Sequence, residues 1–394
     1  MSAAFSVLFF SSLDWDFRKQ DQQVIALSLA EARHPVLYVE NTGARMPGLR
    51  DLARIRHRFA RLMHSASPVA ATNGVDVVTP LVIPGGSSAV ERRLNRLLLR
   101  RTLRPHLARL GCVPLVMWIS LPTWTAVDII DEVRPDVVVY YCGDMFSRIP
   151  GVRPGILESE RMIIRRADVV FATSQVLADR CASLGAKPTL VPVVTDIEAS
   201  DPARRGETAT PGELTGLGGR IIGYMGGLNH KVDVALLDRV ATAFPSDTLV
   251  VLGSVEDPAF RPRVTKNVVV LGERTYAEIA AYLVRFDVCL IPYLLNDFTV
   301  GVYPAKLLEY LSVGRPVVST PLPEVLRFSG VVRIAADHDA FIRAVGEVLN
   351  SAGGETDRLA RMDAVIASTL DATANMLDQI ERAVESAPRL HREG

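Results

Sequence analysis

The sequence predicts an α/β fold made of two doubly wound domains. Short apolar runs alternate with stretches of helical spacing along almost the whole chain, which is typical of parallel sheets with helical crossovers. With 394 residues, of which 48% are hydrophobic, the chain is long enough for two cores. Residues 196–220 interrupt the alternation with Asp, Pro, Gly and Thr, as a linker would. We therefore predict domains at 1–195 and 221–354, joined by 196–220 and followed by a helical tail at 355–394.

The first domain contains the elements of a parallel sheet in regular succession. Strands are expected at 5–10, 36–40, 75–78, 115–119, 137–141, 169–172 and 189–194. Helices are expected at 22–32, 88–110, 124–132, 156–166 and 175–184. Because ligands of doubly wound sheets bind beyond the carboxyl ends of the strands, the loops that follow the strands are the candidate site.

The second domain repeats this alternation. Strands are expected at 221–225, 248–252, 268–271, 288–292, 316–320 and 331–334, with helices at 232–243, 276–286, 304–313 and 339–350. Two such domains are expected to face each other across a cleft, and three loops of the second domain would meet there.

Charge and cysteine usage narrow the class of protein. The formal net charge is zero, but residues 1–195 hold 24 basic against 17 acidic residues, and residues 196–394 hold 20 against 27. Such asymmetry indicates different partners for the two halves. The four cysteines are widely spaced, which indicates reduced, buried thiols rather than a disulfide framework or a metal site. The start of the chain is typical of a first buried strand, and no run is apolar enough to span a bilayer.

The most informative stretch is NDFTVGVYPAKLLEYLSVGRPVVSTPLPEV, at 296–325. Pro304 predicts the start of a helix and Gly314 its end. Lys306 falls in the first turn, where the helix dipole disfavours a cation. A bound anion shared with the helix N-terminus would remove this conflict. The alternative is an exposed lysine paired with Glu309 three residues later.

Two further loops of the second domain have the composition of ligand-binding loops. The loop GGLNHK, 226–231, follows a strand, and its glycines would let a phosphate approach backbone amides. Leu271–Glu273 follows the run VVV. The chain has only five lysines, and two of them, Lys231 and Lys306, lie in these predicted phosphate loops.

With these residues in place, the chain resembles the retaining glycosyltransferases of the GT-B fold, family four (glycosyl transferases group 1), and in particular the branch of teichuronic-acid glycosyltransferases. The resemblance covers most of the chain. It rests on SSLDWDFRKQDQQVIALSLAEARHPVLYVEN, PDVVVYYCGDMFS, ADVVFATSQVLADR, IIGYMGGLNHKVDVALL, NVVVLGERTYAEIAAYLVRFDVCLIPY and PAKLLEYLSVGRPVVSTPLPEV, in the family's order.

The resemblance implies a nucleotide-sugar donor of UDP or GDP type on the second domain and no further cofactor. It implies that Glu309 accepts hydrogen bonds from the ribose and that the backbone at Leu271 and Gly272 meets the base. Lys231 and Lys306 would hold the diphosphate and stabilise its charge in the transition state. The donor site would be completed by Gly226, Gly227, His230, Thr299, Gly301 and Val302.

Three departures from the family limit these implications. Gly301 stands where the wider family has an acidic residue, and Gly227 stands where it has an arginine. The closer branch has an aspartate at Tyr141, so only Asp144 of that pair is present. We take Asp144 as the candidate catalytic group on the acceptor side, with helix or turn capping as its alternative role.

The loop after the first strand is the expected acceptor side. Trp15, Arg18 and Gln20 are the candidates, and a solvated loop is the alternative. Asp14, Trp15 and Asp16 form a DxD sequence, which binds metal in the other glycosyltransferase fold, but here it comes too early in the chain for that use. We expect no metal at this site.

Two arginine-rich segments, 45–61 and 92–109, carry six and seven arginines with apolar residues at helical intervals. They predict either a basic surface on an anionic membrane or a solvated helix face whose apolar side meets the core. Nucleic-acid binding is not expected, because no stacking platform or known module accompanies the charge. The expected location is cytoplasmic, including the inner face of the membrane.

Together these features predict a retaining glycosyltransferase that transfers a sugar to a cell-surface glycan or a lipid-linked acceptor. The alternatives are a nucleotide-sugar epimerase on the same fold and a non-catalytic partner in glycan assembly. A dinucleotide oxidoreductase is excluded, because no G-x-G-x-x-G follows the first strand.

Overall fold

The computed structural model describes residues 4–15, 19–43, 69–72, 74–111, 113–148, 152, 155–263, 266–351 and 354–387. The chain divides into two compact units. The first comprises Met1–Pro192 together with Ala372–Gly394, and the second comprises Val193–Asp371. Arg18, the arginine-rich segment 45–61 and Cys112 lie outside the described residues.

The first unit is built on an eight-stranded sheet in the order β3-β4-β2-β1-β5-β6-β7-β8. Its strands are β1 (Ser6–Phe10), β2 (Val36–Val39), β3 (Val69–Thr72), β4 (Val75–Val78), β5 (Leu115–Ile119), β6 (Val137–Cys142), β7 (Val169–Ala172) and β8 (Thr189–Leu190). β3 pairs antiparallel with β4, and the other pairs are parallel. β3 is an addition to the strands predicted from the sequence.

Helices connect these strands as the sequence predicts. They are α1 (Asp21–Glu31), α2 (Ala89–Leu107), α3 (Trp124–Val133), α4 (Ile156–Arg166) and α5 (Gln175–Ser183). The strands that run through the middle of the sheet are apolar on both faces and fully buried, as expected for a parallel sheet covered by helices. Phe9 of β1 stacks between Tyr38 and Trp118 on the neighbouring strands, with ring centroids 5.3 and 5.2 Å away.

The second unit has a six-stranded sheet in the order β11-β10-β9-β12-β13-β14, and its pairs are all parallel in the described part of the chain. Its strands are β9 (Ile221–Met225), β10 (Thr248–Leu252), β11 (Val268–Val270), β12 (Val288–Ile291), β13 (Val317–Ser319) and β14 (Arg333–Ile334). Its helices are α6 (Asp201–Arg204), α7 (Val234–Ala243), α8 (Tyr276–Leu283), α9 (Lys306–Ser312), α10 (Pro323–Leu326), α11 (His338–Asn350) and the start of α12 (Glu355–Ser386).

The segment 196–220, expected to be a linker, instead folds as part of the second unit. Ala203 and Leu214 are each 5% exposed and belong to the core of that unit. The hydroxyl oxygens of Ser200 and Ser312 lie 2.8 Å apart and join the segment to α9. The Pro, Gly and Thr content that indicated a linker reflects short 3₁₀ and helical turns. The apolar residues among them are too few to form a periodic pattern.

The helical tail expected at 355–394 is also divided differently. α12 runs from Glu355 to Ser386, and the boundary between the two units falls within it, at Asp371. Its last residues lie in the first unit, where the side-chain oxygen of Gln379 accepts a hydrogen bond from Thr189 at 2.8 Å. In the described part of the chain, no helix is both long and apolar enough to cross a bilayer.

Helix α9 is anchored to the centre of its sheet by a tyrosine. The hydroxyl of Tyr310 accepts a hydrogen bond from the backbone amide of Met225 at 2.7 Å and donates to the carbonyl of Leu290 at 3.4 Å. These two bonds attach the short helix to the carboxyl end of β9 and to β12. Leu307, Leu308 and Leu311 are fully buried, as the predicted apolar stripe requires.

We predict that Leu214→Ala lowers the free energy of unfolding by about 2–4 kcal/mol, because it leaves a cavity in the core of the second unit. Urea unfolding measures this change. Leu326→Ala is the matched control, since Leu326 is 47% exposed and its truncation should cost far less. Equal effects of the two changes would show that the segment 196–220 is only a spacer.

We predict that Tyr310→Phe costs about 1–3 kcal/mol, because it leaves the buried amide of Met225 without an acceptor. The control is Tyr303→Phe, since the buried hydroxyl of Tyr303 has no hydrogen-bond partner among the described residues. Removing that hydroxyl should be neutral or stabilising. Thermal and urea unfolding measure the stability of both variants. If the role of Tyr310 were purely apolar, the two changes would have the same small effect on the free energy of unfolding.

Candidate functional site

The candidate site lies at the carboxyl ends of the strands of the second unit. Because these strands are parallel, the loops after β9, β10, β11 and β12 emerge at the same edge of the sheet. The loops after β9 and β10 are in direct backbone contact, since the amide of Gly226 donates to Leu252 at 2.9 Å and the amide of Leu228 to Ser254 at 2.8 Å.

Lys306 lies at the first residue of α9 and extends towards the loop after β9. Its ammonium donates a hydrogen bond to the hydroxyl of Tyr224 at 2.8 Å. It also lies over the rings of Tyr224 and Tyr293, 4.1 and 4.9 Å from their centroids. A hydroxyl and two aromatic faces therefore compensate the unfavourable dipole of the helix N-terminus.

Gly226 gives Lys306 the space that it occupies. A Cβ at Gly226 would lie 2.7 Å from the lysine Nζ, and the glycine φ of +129° is one that other residues rarely adopt. The glycine is thus required by its backbone conformation, and any side chain there would displace the Lys306 ammonium from its position. This gives the first glycine of GGLNHK a specific structural reason that the sequence could not supply.

Tyr224 joins the loop after β9 to the start of α9. Its hydroxyl accepts from Lys306 and donates to the carbonyl of Gly227 at 3.1 Å. Burial raises the pKa of Tyr224 well above its usual value, so the hydroxyl stays protonated. Tyr224 and Tyr293 could not be recognised as site residues from the sequence, because aromatic residues in apolar strands ordinarily indicate core positions.

Glu309 lies one turn after Lys306 on α9 and is half-buried. Its charge acts on two neighbouring tyrosines. Burial raises the pKa values of Tyr276 and Tyr293, and the negative charge of Glu309 raises both further. The cation at the start of α9 and the carboxylate one turn later are thus both held at this edge of the sheet.

Lys231 and His230 lie at the other side of this group of loops, around Phe298. The Lys231 Nζ is 5.9 Å from the centroid of the Phe298 ring, and the exposed His230 ring is 5.4 Å from it. The carbonyl of Lys231 accepts from the amide of Leu294 at 2.9 Å, which connects the loop after β9 to the loop after β12.

The loop before α9 differs from the expectation for the donor site. The hydroxyl of Thr299 is fully buried and donates to the carbonyl of Leu294 within the loop. The amide of Gly301 donates to Phe298 at 3.2 Å, and the amide of Val302 donates to Thr299 at 3.1 Å. In this conformation these groups form a 3₁₀ turn and shape the loop. They are not available as donors to a diphosphate.

The carboxylate of Glu256 occupies part of the space next to the loop after β9. Glu256, after β10, has its Oε1 2.7 Å from the position that a Cβ on Gly227 would take, and it accepts from the Asn229 side chain at 2.7 Å. Any side chain at position 227, including the arginine of the wider family, would displace Glu256. No sequence signal points to this contact, because Glu256 lies in an ordinary charged loop.

The loop after β11 is open. Gly272 has a φ of +75°, and no atom lies within 4 Å of the position that a Cβ would take there. The carbonyl of Leu271 accepts from the guanidinium of Arg274 at 2.8 Å. The backbone at Gly272 is therefore accessible, while the Leu271 carbonyl already has a donor.

In the first unit, the predicted acceptor residues lie after β1 and β6. The Trp15 ring meets the Tyr38 ring edge-on at 4.8 Å, and its amide donates to Glu40 at 2.8 Å. Gln20 caps the start of α1 through a reciprocal pair with Gln23. Asp144 lies exposed in the bend after β6. Arg18, the third predicted acceptor residue, is outside the described residues.

A further polar pair lies near these residues. The hydroxyl of Tyr141 donates to the carboxylate of Asp21 at 2.6 Å, and burial raises the pKa of Asp21. Tyr141 is the position at which the sequence departs from the closer branch, and its hydroxyl brings the carboxylate of Asp21 to this end of β6. Sequence reasoning noted the departure at Tyr141 but could not find its partner 120 positions away.

No metal site is visible among the residues that the structure describes, since these contain no group of three or more His, Cys, Asp or Glu side chains suited to a metal ion. Cys142, Cys181 and Cys289 are free and buried. The Asp16 of the DxD sequence is outside the described part of the chain.

Comparisons with known proteins identify a related family and related folds. Residues 219–351 match the family described as Glycosyl transferases group 1. The chain is 27% identical over 256 residues to TuaH of Bacillus subtilis (strain 168), described as a teichuronic acid biosynthesis glycosyltransferase. That match spans 60% of this chain and 64% of TuaH, so the chain covers less than two thirds of its relative.

Solved structures share the fold at low sequence identity. Sucrose-phosphate synthase from Thermosynechococcus elongatus is 14% identical with a TM-score of 0.67, and the match covers 98% of this chain and 100% of that one. Anabaena HepE in complex with UDP and glucose is 14% identical with a TM-score of 0.61, over 97% and 99% of the two chains. The GT-B fold predicted from the sequence is confirmed, and residues 219–351 match the family Glycosyl transferases group 1 that the sequence resembles.

Proposed function

We propose that this protein is a glycosyltransferase that moves a sugar from a UDP- or GDP-sugar to a cell-surface glycan or a lipid-linked acceptor. The observation that carries the proposal is Lys306, held at the N-terminus of α9 by Tyr224, with Glu309 one turn later. A fixed cation beside a glycine loop suits a diphosphate, and a carboxylate nearby suits the hydroxyls of a ribose.

The chemistry of the leaving group explains why a held cation is useful. As the bond from sugar to diphosphate breaks, negative charge grows on the phosphate oxygens. A lysine that is already oriented stabilises this charge without reorganisation in the transition state. Lys231 would add a second positive charge from the loop after β9. The accessible backbone at Gly272 would meet the base.

Relatives support the type of donor and the acceptor class. The Anabaena HepE structure is a complex with UDP and glucose, and TuaH is described as acting in teichuronic acid biosynthesis. We extend retention of anomeric configuration to this chain from its resemblance to the retaining family. The leaving phosphate would help to accept the proton of the acceptor hydroxyl, and no further cofactor is required.

Asp144, Trp15 and Gln20 are our candidates for contact with the acceptor, together with Arg18. Asp144 is exposed at the carboxyl end of β6, where a carboxylate can reach a ligand hydroxyl. Trp15 presents an apolar ring, which is the usual partner of a sugar face or a lipid. On these assignments the acceptor would bind the first unit and the donor the second.

We also propose that α2 brings the enzyme to an anionic membrane. Val90, Leu94 and Leu97 are 78%, 42% and 64% exposed and lie on one face of the helix. Arg93, Arg101 and Arg104 border this stripe and are exposed. Exposed apolar residues flanked by arginines suit the boundary between lipid headgroups and acyl chains. A membrane position would give access to a lipid-linked acceptor.

We predict that Lys306→Met and Glu309→Gln each weaken UDP- or GDP-sugar binding by about tenfold or more, since each removes a charged contact with the donor. Titration calorimetry with a panel of nucleotide sugars, paired with an assay of slow donor hydrolysis, gives the measurement. Lys266→Ala is the control, because Lys266 is an exposed lysine of the same unit.

The same panel decides the proposal as a whole. Binding and hydrolysis of one UDP- or GDP-sugar by the unchanged protein support it. The absence of a response to every nucleotide sugar would refute it. Binding without hydrolysis or transfer would instead favour a non-catalytic role in glycan assembly.

For the membrane contact, we predict that Leu97→Gln reduces co-sedimentation with phosphatidylglycerol vesicles by about tenfold, because burial of a leucine side chain is lost. Leu326→Gln, at an exposed leucine of the second unit, should bind as the unchanged protein does. Equal binding to phosphatidylcholine vesicles, or no loss for Leu97→Gln, would contradict the proposal.

A further inference from the structure

A separate cavity of about 380 Å³ lies at the opposite edge of the sheet of the second unit. It is lined by residues that precede or begin β12, β13 and β14 and by the first turns of α12. These are the amino ends of the same parallel strands whose carboxyl ends carry the loops around Lys306. The cavity is therefore distinct from the proposed donor site.

Four arginines line this cavity: Arg315, Arg333, Arg358 and Arg361. Of these, Arg358 is paired with Glu355, through hydrogen bonds of 2.8 and 2.6 Å to the two carboxylate oxygens. A carboxylate that neutralises one arginine in this way is not available to the others.

Arg315 and Arg361 are half-buried, yet no carboxylate of the described residues lies within ion-pair distance of either. Arg315 donates to the carbonyl of Phe286 at 3.3 Å, and its buried Nε has no partner among the residues that the structure describes. Arg361 donates to the carbonyl of Gly314 at 2.9 Å. Each guanidinium has five N–H donors, so both arginines keep N–H groups that make no hydrogen bond to another described residue.

The acidic residues around the cavity offset this positive charge only in part. Asp287 accepts the backbone amide of Ile221 at 2.6 Å, and Asp357 is exposed. Burial lowers the pKa values of Arg315 and Arg361. Asp287 acts in the opposite direction on the pKa of Arg315, as Asp357 does on that of Arg361, while neighbouring guanidinium groups lower both. The two arginines therefore repel each other within a partly desolvated space, which is unfavourable without an anion.

The backbone holds these arginines in place. Gly314 ends α9 with a φ of +73°, and a Cβ there would lie 2.4 Å from the Arg358 Cγ. The first turns of α12 thus pack directly on the turn that carries Arg315. The wall of the cavity therefore includes a closely packed turn.

We propose that this cavity binds the phosphate group of a small phosphate monoester. Planar guanidinium groups match the oxygens of a phosphate in bidentate geometry, and the charge of a dianion balances Arg315 and Arg361 together. A volume of about 380 Å³ accommodates a phosphate with a small polar body attached. The exposed guanidinium of Arg333 stands at the rim, where it would meet the incoming ligand.

Titration calorimetry with inorganic phosphate and with glucose 6-phosphate, at ionic strength matched with sodium chloride, tests the proposal. We expect both ligands to bind the unchanged protein, the ester more tightly. Arg315→Gln, Arg361→Gln and Arg333→Gln should each weaken binding by about tenfold. Arg343→Gln, at an exposed arginine of α11 outside the cavity, should leave it unchanged.

Two further measurements separate this site from the donor site and from a purely structural role. Lys306→Met should keep phosphate binding, and UDP should not compete with it. Without phosphate, Arg315→Gln should raise the unfolding temperature, because it removes a half-buried cation that no carboxylate balances; with phosphate, the advantage should disappear. Lack of phosphate binding, competition by UDP, or equal binding by all the variants would each overturn the proposal.

Discussion

The hydrogen bond from Lys306 to Tyr224 is the interaction on which the arrangement of the site depends. It connects the N-terminus of α9 to the end of β9, across 82 positions of sequence. The same tyrosine donates to the carbonyl of Gly227, so the glycine loop and the helix share one hydroxyl. A lysine at a helix N-terminus is unfavourable in isolation. Here the hydroxyl of Tyr224 and the rings of Tyr224 and Tyr293 hold the Lys306 ammonium, so its direction is fixed before any ligand binds.

This arrangement requires a rigid support, and the parallel sheet provides it. Tyr310 attaches α9 to the main chain of β9 and β12 with two hydrogen bonds. The leucines of α9 fill the core on the same side. A seven-residue helix has little stability of its own, so its position comes from these tertiary contacts. The segment 196–220 contributes as well, through Ser200 and the buried Leu214.

Charge is distributed unequally between the two edges of this sheet. The carboxyl edge has both cations and carboxylates. They are Lys306, Lys231, Glu309 and Glu256. At the amino edge, Arg315 and Arg361 have no carboxylate partner in the described part of the chain. Helix α9 starts at the first edge and ends beside the second, at Gly314.

The sequence by itself determined the fold class and the order of nearly all strands and helices, and it predicted a helix with Lys306 in its first turn and Glu309 three residues later. These follow from local signals, namely apolar runs, helical spacing, Pro304 and Gly314 as helix boundaries, and a lysine in an unfavourable position. Only the tertiary structure decided which groups hold that lysine, why Gly226 must be a glycine, and that Thr299 and the amides after it form a turn. The first two of these facts depend on contacts between residues far apart in the chain, and the third depends on a local backbone conformation that the residue types alone do not specify. A buried tyrosine such as Tyr224 looks like any core residue until its hydroxyl is seen beside an ammonium.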